Sequence, residues 1–219
     1  MQPNTRDRII ETGAKIIHRK GFNHTGIQEI LNAANVPKGS FYNYFKSKDE
    51  FGLQIIDYFS AHFKRIAKET LEDTRVSPLS RIYAFLTAFM EYFESQNYAG
   101  GCPIGNLAQE MGDLSPVFRR KLSEAINMMI DAYKQVLAAA QNDNKISKSL
   151  DIQDTAGFII AGWHGAIIQM KLTQSLAPLK NHRRFVFDHI LKKYAQWLYA
   201  RTKMRISFSV IRPTGLIGR

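Results

Sequence analysis

Hydrogen-bonding side chains suited to phosphate oxygens and base edges are concentrated in one short stretch, from Lys38 to Lys48. It supplies hydroxyl, amide and ammonium groups, which are the groups that proteins use for such contacts: Lys38, Ser40, Tyr42, Asn43, Tyr44, Lys46 and Lys48. Phe41 and Phe45, four residues apart, would anchor the stretch onto neighbouring helices and leave the polar aromatic residues facing outward. The pattern fits a nucleic-acid contact, and it fits equally a small helical hairpin whose tyrosine tips reach solvent.

Cys102 is the second candidate for chemistry, because it precedes Pro103 in a glycine-containing loop. If Pro103 is the first residue of a helix, Cys102 is its N-cap, and the sulfur faces unpaired backbone N–H groups at the positive end of the helix dipole. These surroundings favour the nucleophilic thiolate. The alternative is a buried, inert cysteine, and spacing alone leaves both open.

Other reactive constellations are missing from the sequence. The six histidines and the single cysteine show no metal-ligand spacing, and there is no P-loop, no GxSxG elbow and no carboxylate pair at catalytic spacing. We therefore predict no metal, no cofactor and no catalytic residue. A small thiol-based redox enzyme using Cys102 would need a resolving cysteine and a base, and the chain offers neither convincingly.

Two short helices around a break are predicted to position the stretch from Lys38 to Lys48. The first, residues 26–34, has apolar residues on one face at helical spacing, and Thr25 is its predicted N-cap. Asn35-Val36-Pro37 ends it, because the residue before a proline leaves the α region, and Pro37 also suits the start of the second helix, residues 38–45. A third helix begins at Ser47. This arrangement predicts a helix-turn-helix at about residues 27–46, whose second helix enters the DNA major groove.

The run from Val36 to Phe51, VPKGSFYNYFKSKDEF, resembles the recognition segment of TetR/AcrR-type transcriptional repressors. Gly21-Phe22, Thr25 and Glu29-Ile30 fall at the spacing of that family. The resemblance covers about the first 65 residues closely and the helical remainder more loosely. It implies an all-α protein of about nine helices, with a helix-turn-helix DNA-binding domain at residues 4–64 and a helical effector-binding and dimerisation domain at residues 65–203.

The resemblance also implies roles for individual residues. The positions that correspond to phosphate contacts are Thr25, Tyr42, Tyr44 and Lys48. The positions that correspond to base or near-base contacts are Gln28, Lys38, Gly39, Ser40 and Asn43. Position 44 is often histidine in the family and is tyrosine here, so its contact is the least secure of the set.

The segment that follows Cys102 resembles the ligand-domain motif of a TetR subgroup that includes NemR-like and AcuR-like regulators. That subgroup responds to reactive aldehydes, unsaturated compounds and related electrophiles. The stretch from Trp163 to Lys171 also matches it. By this resemblance Cys102 corresponds to the sensing cysteine and Lys171 to a lysine near it. Trp163 and His164 would line an effector cavity, or His164 would be a hydrogen-bonded core residue.

The rest of the chain is predicted to be helical. Helices are expected at residues 5–19, capped by Asn4 or Thr5, and at residues 47–72, 77–94, 116–141, 151–175 and 181–201, with a short one ending at Met111. Gly21 is expected to end the first helix in the αL conformation. Small residues in the helix at 151–175 permit close helix approach. By resemblance, the last two helices form a homodimer interface; the alternative is that both belong to the core of a monomer.

Composition fits a soluble protein of the cytoplasm without a membrane span. The 219 residues are 45% hydrophobic, have no uncharged apolar run of about 18 residues and begin without an apolar signal-peptide core. A single cysteine cannot form an internal disulfide, as expected in a reducing compartment. The formal net charge is +11, but residues 178–219 hold +9 and residues 1–50 only +3, so charge alone locates no DNA site.

These observations predict a cytoplasmic, homodimeric, DNA-binding transcriptional regulator. It would repress from a palindromic operator and leave it when a small-molecule or electrophilic effector binds; an activator with the same DNA-binding head is the alternative. Residues 205–212 alternate polar and apolar like a strand before Pro213 breaks the pattern. The resemblance does not extend to this tail, residues 204–219, whose role stays open.

Overall fold

The structure, a computed structural model, describes residues 4–191. This part of the chain is helical and contains no strand, which confirms the predicted all-α class. Its elements are α1 (Thr5–Lys20), α2 (Ile27–Ala33), a 3₁₀ helix (Lys38–Asn43), α3 (Lys48–Thr70), α4 (Pro78–Ser95), α5 (Pro103–Met111), α6 (Pro116–Asn142), α7 (Ile152–Thr173), α8 (Ala177–Phe185) and a π-helical turn (Val186–Ile190). Within residues 4–191, no helix is both long and apolar enough to cross a membrane.

Helix α1 is closed at both ends by the residues around it. The Asn4 side chain accepts a hydrogen bond from the Asp7 N–H (2.9 Å), which confirms Asn4 as the N-cap. At the other end the Gly21 N–H donates to the Ile17 carbonyl (2.8 Å). Gly21 has φ 86° and ψ 160°, so the predicted αL ending is wrong. Its φ is positive, but the extended ψ leads the chain directly into the buried Phe22.

Helix α2 ends through an asparagine. Asn35 adopts a left-handed conformation, with φ 53°. The Val36 N–H then donates to the Leu31 carbonyl (3.0 Å), and the Asn35 N–H donates to the Asn32 carbonyl (3.1 Å). These paired bonds form a Schellman motif, and asparagine is the usual substitute for glycine at its left-handed position. Asn35 therefore ends α2, whereas the sequence pattern attributed the break chiefly to Pro37.

Packing divides the described residues into two compact units. Residues 4–62 and 103–126 form the first unit, which contains α1, α2, the 3₁₀ helix, most of α3, α5 and the start of α6. Residues 63–102 and 127–191 form the second unit, with α4, α7, α8 and the rest of α3 and α6. Helix α5 and the start of α6 therefore pack with the N-terminal helices. The division into domains at residue 64 stays a prediction.

The second unit is built around aromatic side chains of α4 and α6. Phe85 on α4 meets Phe63 and Tyr133 edge to face, with ring centroids 5.9 Å apart in both pairs. Tyr133 is fully buried, and burial raises the pKa of its hydroxyl. Helix α8 joins α4 through Arg183, whose guanidinium carbon lies 4.2 Å from the centre of the Tyr83 ring.

Helices α7 and α8 follow one another after a short turn. Asp151 caps α7 by accepting the Asp154 N–H (2.9 Å), and Gln174 ends the helix in the left-handed conformation, with φ 48°. Helix α8 begins earlier than predicted, because Pro178 fits a first helical turn, where its missing N–H has no intrahelical partner to lose. Of the predicted helix at 181–201, residues 192–201 lie outside the described residues, as does the tail at 204–219.

Candidate DNA-binding site and thiol site

The 3₁₀ helix Lys38–Asn43, which we call the recognition helix, is fixed to its unit by phenylalanines. Phe41, Phe45 and Phe51 are 0%, 1% and 0% exposed. Their ring centroids lie 5.1 Å apart for residues 41 and 45, 5.6 Å for 41 and 51, and 5.0 Å for 45 and 51. Gly13 of α1 admits the Phe51 ring, because a side chain at Gly13 would overlap it. This packing holds in place a helix too short to be stable alone.

The residues predicted to contact DNA from this helix, and Tyr44 directly after it, lie at the surface. All are exposed except the half-buried Ser40: Lys38, Gly39, Ser40, Tyr42, Asn43 and Tyr44. Tyr42 and Tyr44 are 67% and 40% exposed, although both are large aromatic side chains. Apart from its neighbours in the same helix, no described atom lies within 4 Å of the position that a Gly39 side chain would take, so the backbone there is open to close approach. The recognition helix thus presents hydroxyl, amide and ammonium groups around an accessible backbone.

Thr25 and Gln28, predicted contacts outside the recognition helix, differ in exposure. Thr25 is 1% exposed, and its hydroxyl donates to the Gly21 carbonyl (2.7 Å). The N-cap of α2 is Gly26, so the N-cap role predicted for Thr25 is wrong. Gln28 is exposed on α2, where its amide donates to the Asn32 side chain (2.7 Å). Gln28 is therefore available at the surface, whereas Thr25 holds the turn between α1 and α2 together.

Lys48, the first residue of α3, is held beside the turn that joins α1 to α2, residues 21–26. Its ammonium nitrogen lies 4.7 Å from the centre of the Phe22 ring. The same nitrogen is 3.5 Å from the Asn23 carbonyl oxygen, to which it donates. The side chain is half-buried. The predicted phosphate ligand is therefore oriented by the turn.

Glu110 contacts the same turn, which the sequence did not predict. Its carboxylate accepts the Phe22 N–H at Oε2 (2.8 Å) and the Asn23 N–H at Oε1 (2.7 Å). Glu110 lies near the C-terminal end of α5, where a negative charge is unfavourable to the helix dipole. An acidic residue at that end, in a short helix, is the sequence signal that could have indicated a partner elsewhere in the fold.

Cys102 immediately precedes Pro103, the first residue of α5, as the sequence predicts. The side chain is partly exposed. The loop before it follows an unusual backbone path, with φ 79° at Gly100 and 84° at Gly101. Those values favour glycine, which explains the two glycines in front of the cysteine. The structure supports the predicted position of Cys102 at the start of a helix, and its reactivity stays a prediction.

The effector residues predicted on α7 have three different settings. Trp163 is 7% exposed, and its ring centroid lies 5.7 Å from that of His182 on α8. His164 is half-buried, and burial lowers the pKa of its imidazole, which favours the neutral ring. Lys171 is exposed in the last turn of α7. Packing on His182 supports a structural role for Trp163. An effector cavity lined by Trp163 and His164, and the proximity of Lys171 to Cys102, stay predictions.

Apolar side chains are exposed on α7 and α8. They are Phe158 (56% exposed), Ile168 (42%), Leu172 (79%) and Phe185 (52%). Gly157 and Gly165 face open space, since no described atom outside the neighbouring part of α7 lies within 4 Å of a side chain added at either position. At Gly162, by contrast, an added side chain would lie 2.8 Å from His182 Nε2. Gly162 thus allows α8 to pack closely against α7, whereas Gly157 and Gly165 leave room on the outer surface of α7.

Comparisons with known proteins agree with this geometry. Residues 9–55 match the family model described as bacterial regulatory proteins, tetR family, and residues 78–186 match the tetracyclin repressor-like C-terminal domain. Over 186 residues the chain is 34% identical to the HTH-type transcriptional repressor DhaR of Mycobacterium sp. (strain GP1), covering 85% of this chain and 92% of DhaR. The chain belongs to the TetR family. It is a DNA-binding transcriptional regulator, as the recognition segment predicts.

Two further relatives of this TetR-family regulator fall in the predicted subgroup. The transcriptional regulator AcuR of Cereibacter sphaeroides is 34% identical over 185 residues, which are 84% of each chain. The crystal structure of Escherichia coli NemR in its reduced form aligns with a TM-score of 0.78 and 29% identity, over 85% of this chain and 97% of NemR. The resemblance to AcuR-like and NemR-like regulators is confirmed. These relatives are regulators, so the alternative of a thiol-based redox enzyme is not supported.

Proposed function

We propose that this TetR-family regulator is a homodimeric repressor of the cytoplasm, which binds a palindromic operator and leaves it when a small-molecule or electrophilic effector binds. The observation that carries the proposal is the exposed recognition helix on its phenylalanine anchors, with the polar groups of Tyr42, Asn43 and Tyr44 facing solvent. DhaR and NemR, which are similar to 85% and 81% of this chain, are named as repressors. An activator with the same head is the alternative.

The contacts to DNA divide by chemistry. Base edges in the major groove would be contacted by the polar side chains of Gln28 on α2 and of Lys38, Ser40 and Asn43 on the recognition helix. At Gly39 the backbone itself would come close to the bases. Phosphates would be held by Tyr42, Tyr44 and Lys48. Thr25, which is buried, would contribute by holding the turn beside Lys48.

The homodimer would form through residues 151–175, which contain α7, and residues 181–201. The exposed Phe158, Ile168 and Leu172 on α7 support this interface, as does Phe185 on α8, because apolar side chains exposed together favour burial against a partner. Two-fold symmetry would then place two recognition helices on the two half-sites of a palindrome.

Cys102 is the proposed sensor of an electrophilic effector. Its thiolate would add to an activated alkene: sulfur bonds to one alkene carbon, the π electrons move to the carbon beside the carbonyl, and water protonates that carbon. No oxidant is required. Release follows only if the adduct, or a reversible ligand near Trp163, His164 and Lys171, favours a second arrangement of the protein. A tenfold loss of operator affinity needs about 1.4 kcal/mol of such preference.

Selection of duplexes from a random pool by the wild-type protein, followed by footprinting of the recovered duplex, tests the proposal. We expect an inverted repeat whose half-site centres are separated by about one DNA turn or a multiple of it. Asn43→Ala should relax base preference at one position in each half-site, whereas Asn142→Ala, at an exposed site in the second unit, should leave it unchanged. Recovery of no preferred sequence, or of a footprint without two-fold symmetry, would contradict the proposal.

A further inference from the structure

The contact between Glu110 and the α1–α2 turn is made by one carboxylate and two consecutive backbone amides. The distances are 2.8 Å from the Phe22 nitrogen to Oε2 and 2.7 Å from the Asn23 nitrogen to Oε1. All three residues belong to the same compact unit. Hydrogen bonds from an N–H to an ionised carboxylate are shorter and stronger than neutral ones. Glu110 thus fixes both amides at once with one carboxylate oxygen for each, an arrangement that glutamine, with a single carbonyl oxygen, does not reproduce.

The turn is shaped to admit this carboxylate. A side chain at Gly21 would lie 3.0 Å from Glu110 Oε2, and the φ of 86° at Gly21 disfavours any residue with a side chain. Met111, the next residue of α5, adds a second contact through its sulfur, which accepts from the Asn23 side chain at 3.5 Å. Gly21 therefore ends α1 and also leaves room for α5 to reach the turn.

Asn23 in the turn bonds both to Glu110 and to Lys48, a predicted DNA-binding residue. The N–H of Asn23 is held by Glu110, and its carbonyl accepts from Lys48 at 3.5 Å. Thr25 closes the same turn through its bond to the Gly21 carbonyl. The position of the Glu110 carboxylate is therefore linked, through the backbone of the single residue Asn23, to the ammonium that is proposed to bind phosphate.

Helix α5 connects this contact to the proposed sensor. It begins directly after Cys102 and carries Glu110 one residue before its C-terminal end. At about 1.5 Å per residue, Pro103 and Glu110 are separated by roughly 11 Å along a single short helix. A short helix moves largely as one body, so a displacement at its first residue is expected to reach its last turn.

We propose that Glu110 is a positioning residue that keeps the α1–α2 turn and Lys48 in the arrangement that binds the operator, and that effector binding releases the operator by drawing this carboxylate away from the Phe22 and Asn23 amides. The proposal rests on the proposed function, because it requires an operator and an effector. It adds the residue through which α5 acts on the DNA-binding helices.

The test compares wild type, Glu110→Gln and Glu110→Ala, with Gln109→Ala as a control at the neighbouring exposed position of α5. N-ethylmaleimide is the probe, because the chain has a single cysteine and the reagent adds to its thiolate as written above. Three quantities are measured: hydrogen exchange of the Asn23 amide, affinity for the selected duplex before and after the reagent, and thermal unfolding.

For Glu110→Ala we expect exchange at Asn23 and the dissociation constant for the duplex to rise about tenfold each, because the turn is no longer fixed. The further loss of affinity on adding N-ethylmaleimide should shrink below that of wild type, since the contact is already broken. Glu110→Gln keeps one acceptor oxygen, so its Asn23 exchange, its duplex affinity and its response to the reagent should lie between those of wild type and Glu110→Ala. A merely structural role would lower the unfolding temperature and leave the ratio of affinities before and after the reagent unchanged.

The proposal is overturned if Glu110→Ala retains wild-type duplex affinity and wild-type response to N-ethylmaleimide. A wild-type protein that selects no duplex would remove the proposed function and this inference with it. A wild type that binds the duplex but ignores the reagent contradicts only the thiol part of the proposed function. The role of Glu110 is then decided by duplex affinity and Asn23 exchange in the variants.

Discussion

Lys48 lies over the ring of Phe22, with its ammonium nitrogen 4.7 Å from the ring centroid. The same nitrogen donates to the Asn23 carbonyl, so the side chain is ordered at the α1–α2 turn before DNA binds. A side chain that is already ordered loses less conformational entropy on binding. Lys48 is thus ordered in advance for a phosphate contact.

Lys48→Ala should weaken duplex binding about tenfold and reduce the slope of log affinity against log salt by about one, because one phosphate contact is lost. Fluorescence anisotropy with the selected duplex at several salt concentrations measures both. Lys68→Ala, at an exposed position in the last turn of the same helix, is the control and should change neither. An unaltered salt slope for Lys48→Ala would refute the phosphate contact.

Tyr42→Phe should reduce duplex affinity about fivefold, the effect of losing one hydrogen bond of about 1 kcal/mol, without altering the fold. Tyr42 is 67% exposed, so the hydroxyl is available to DNA and removing it leaves no buried group unsatisfied. Anisotropy gives the affinity, and circular dichroism checks the helix content. Wild-type affinity in this variant would show that the hydroxyl makes no contact.

Cys102→Ser should abolish release of the duplex by N-ethylmaleimide while preserving duplex binding, because the serine hydroxyl is a far weaker nucleophile than a thiolate. Mass spectrometry should find one adduct on wild type and none on the variant, as expected for a chain with a single cysteine. Release that persists in Cys102→Ser would exclude the thiol sensor and leave the repressor proposal in place.

The recognition helix shows why this part of the fold could be predicted. Phe41 and Phe45 recur at helical spacing, and Pro37 punctuates the chain, so local sequence contains the information that fixes the segment. The burial of both phenylalanines and the exposure of Tyr42 and Tyr44 follow that pattern. Local rules suffice here because each residue's role depends on neighbours a few positions away.

Glu110 and Thr25 show where local rules stop. Glu110 bonds to residues nearly ninety positions earlier in the chain, and no spacing rule joins the two segments. Thr25 has the residue type of an N-cap, but its hydroxyl donates backward to Gly21 instead of accepting from the next helix. The Glu110 contact depends on how α5 and the α1–α2 turn meet in space, which single-sequence patterns do not determine. The Thr25 bond is local, but a threonine before a helix can either cap that helix or donate backward, and residue type does not decide between the two.

Leu172→Glu should convert the proposed homodimer to monomers, because it places a charge in the proposed apolar interface, at a position that is 79% exposed in the single chain. Analytical ultracentrifugation measures the oligomeric state, and duplex binding should fall with dimer loss. Asn127→Glu adds the same charge at an exposed site of α6, outside both proposed interface segments, and serves as the control. A dimer that survives Leu172→Glu at micromolar concentration would place the interface elsewhere.

His182 should make the stability of the protein depend on pH. Burial against Gly162 and Trp163 lowers the pKa of its imidazole, so the folded protein keeps the ring neutral at a pH where the unfolded chain protonates it. Because the folded-state pKa is the lower one, this stabilisation is complete above the unfolded pKa of about 6.5 and is lost as the pH falls below it.

Urea unfolding at pH 7.5 and pH 5.5 measures this effect. Between pH 7.5 and pH 5.5 the unfolding free energy of His182→Gln should fall by less than that of wild type, because glutamine does not titrate. This comparison holds whatever the stability of the variant is at pH 7.5. Asn181→Gln, at the neighbouring exposed position of α8, leaves every histidine in place and should lose as much as wild type. Equal losses in wild type and His182→Gln would mean that the buried ring is protonated as readily in the folded protein as in the unfolded chain.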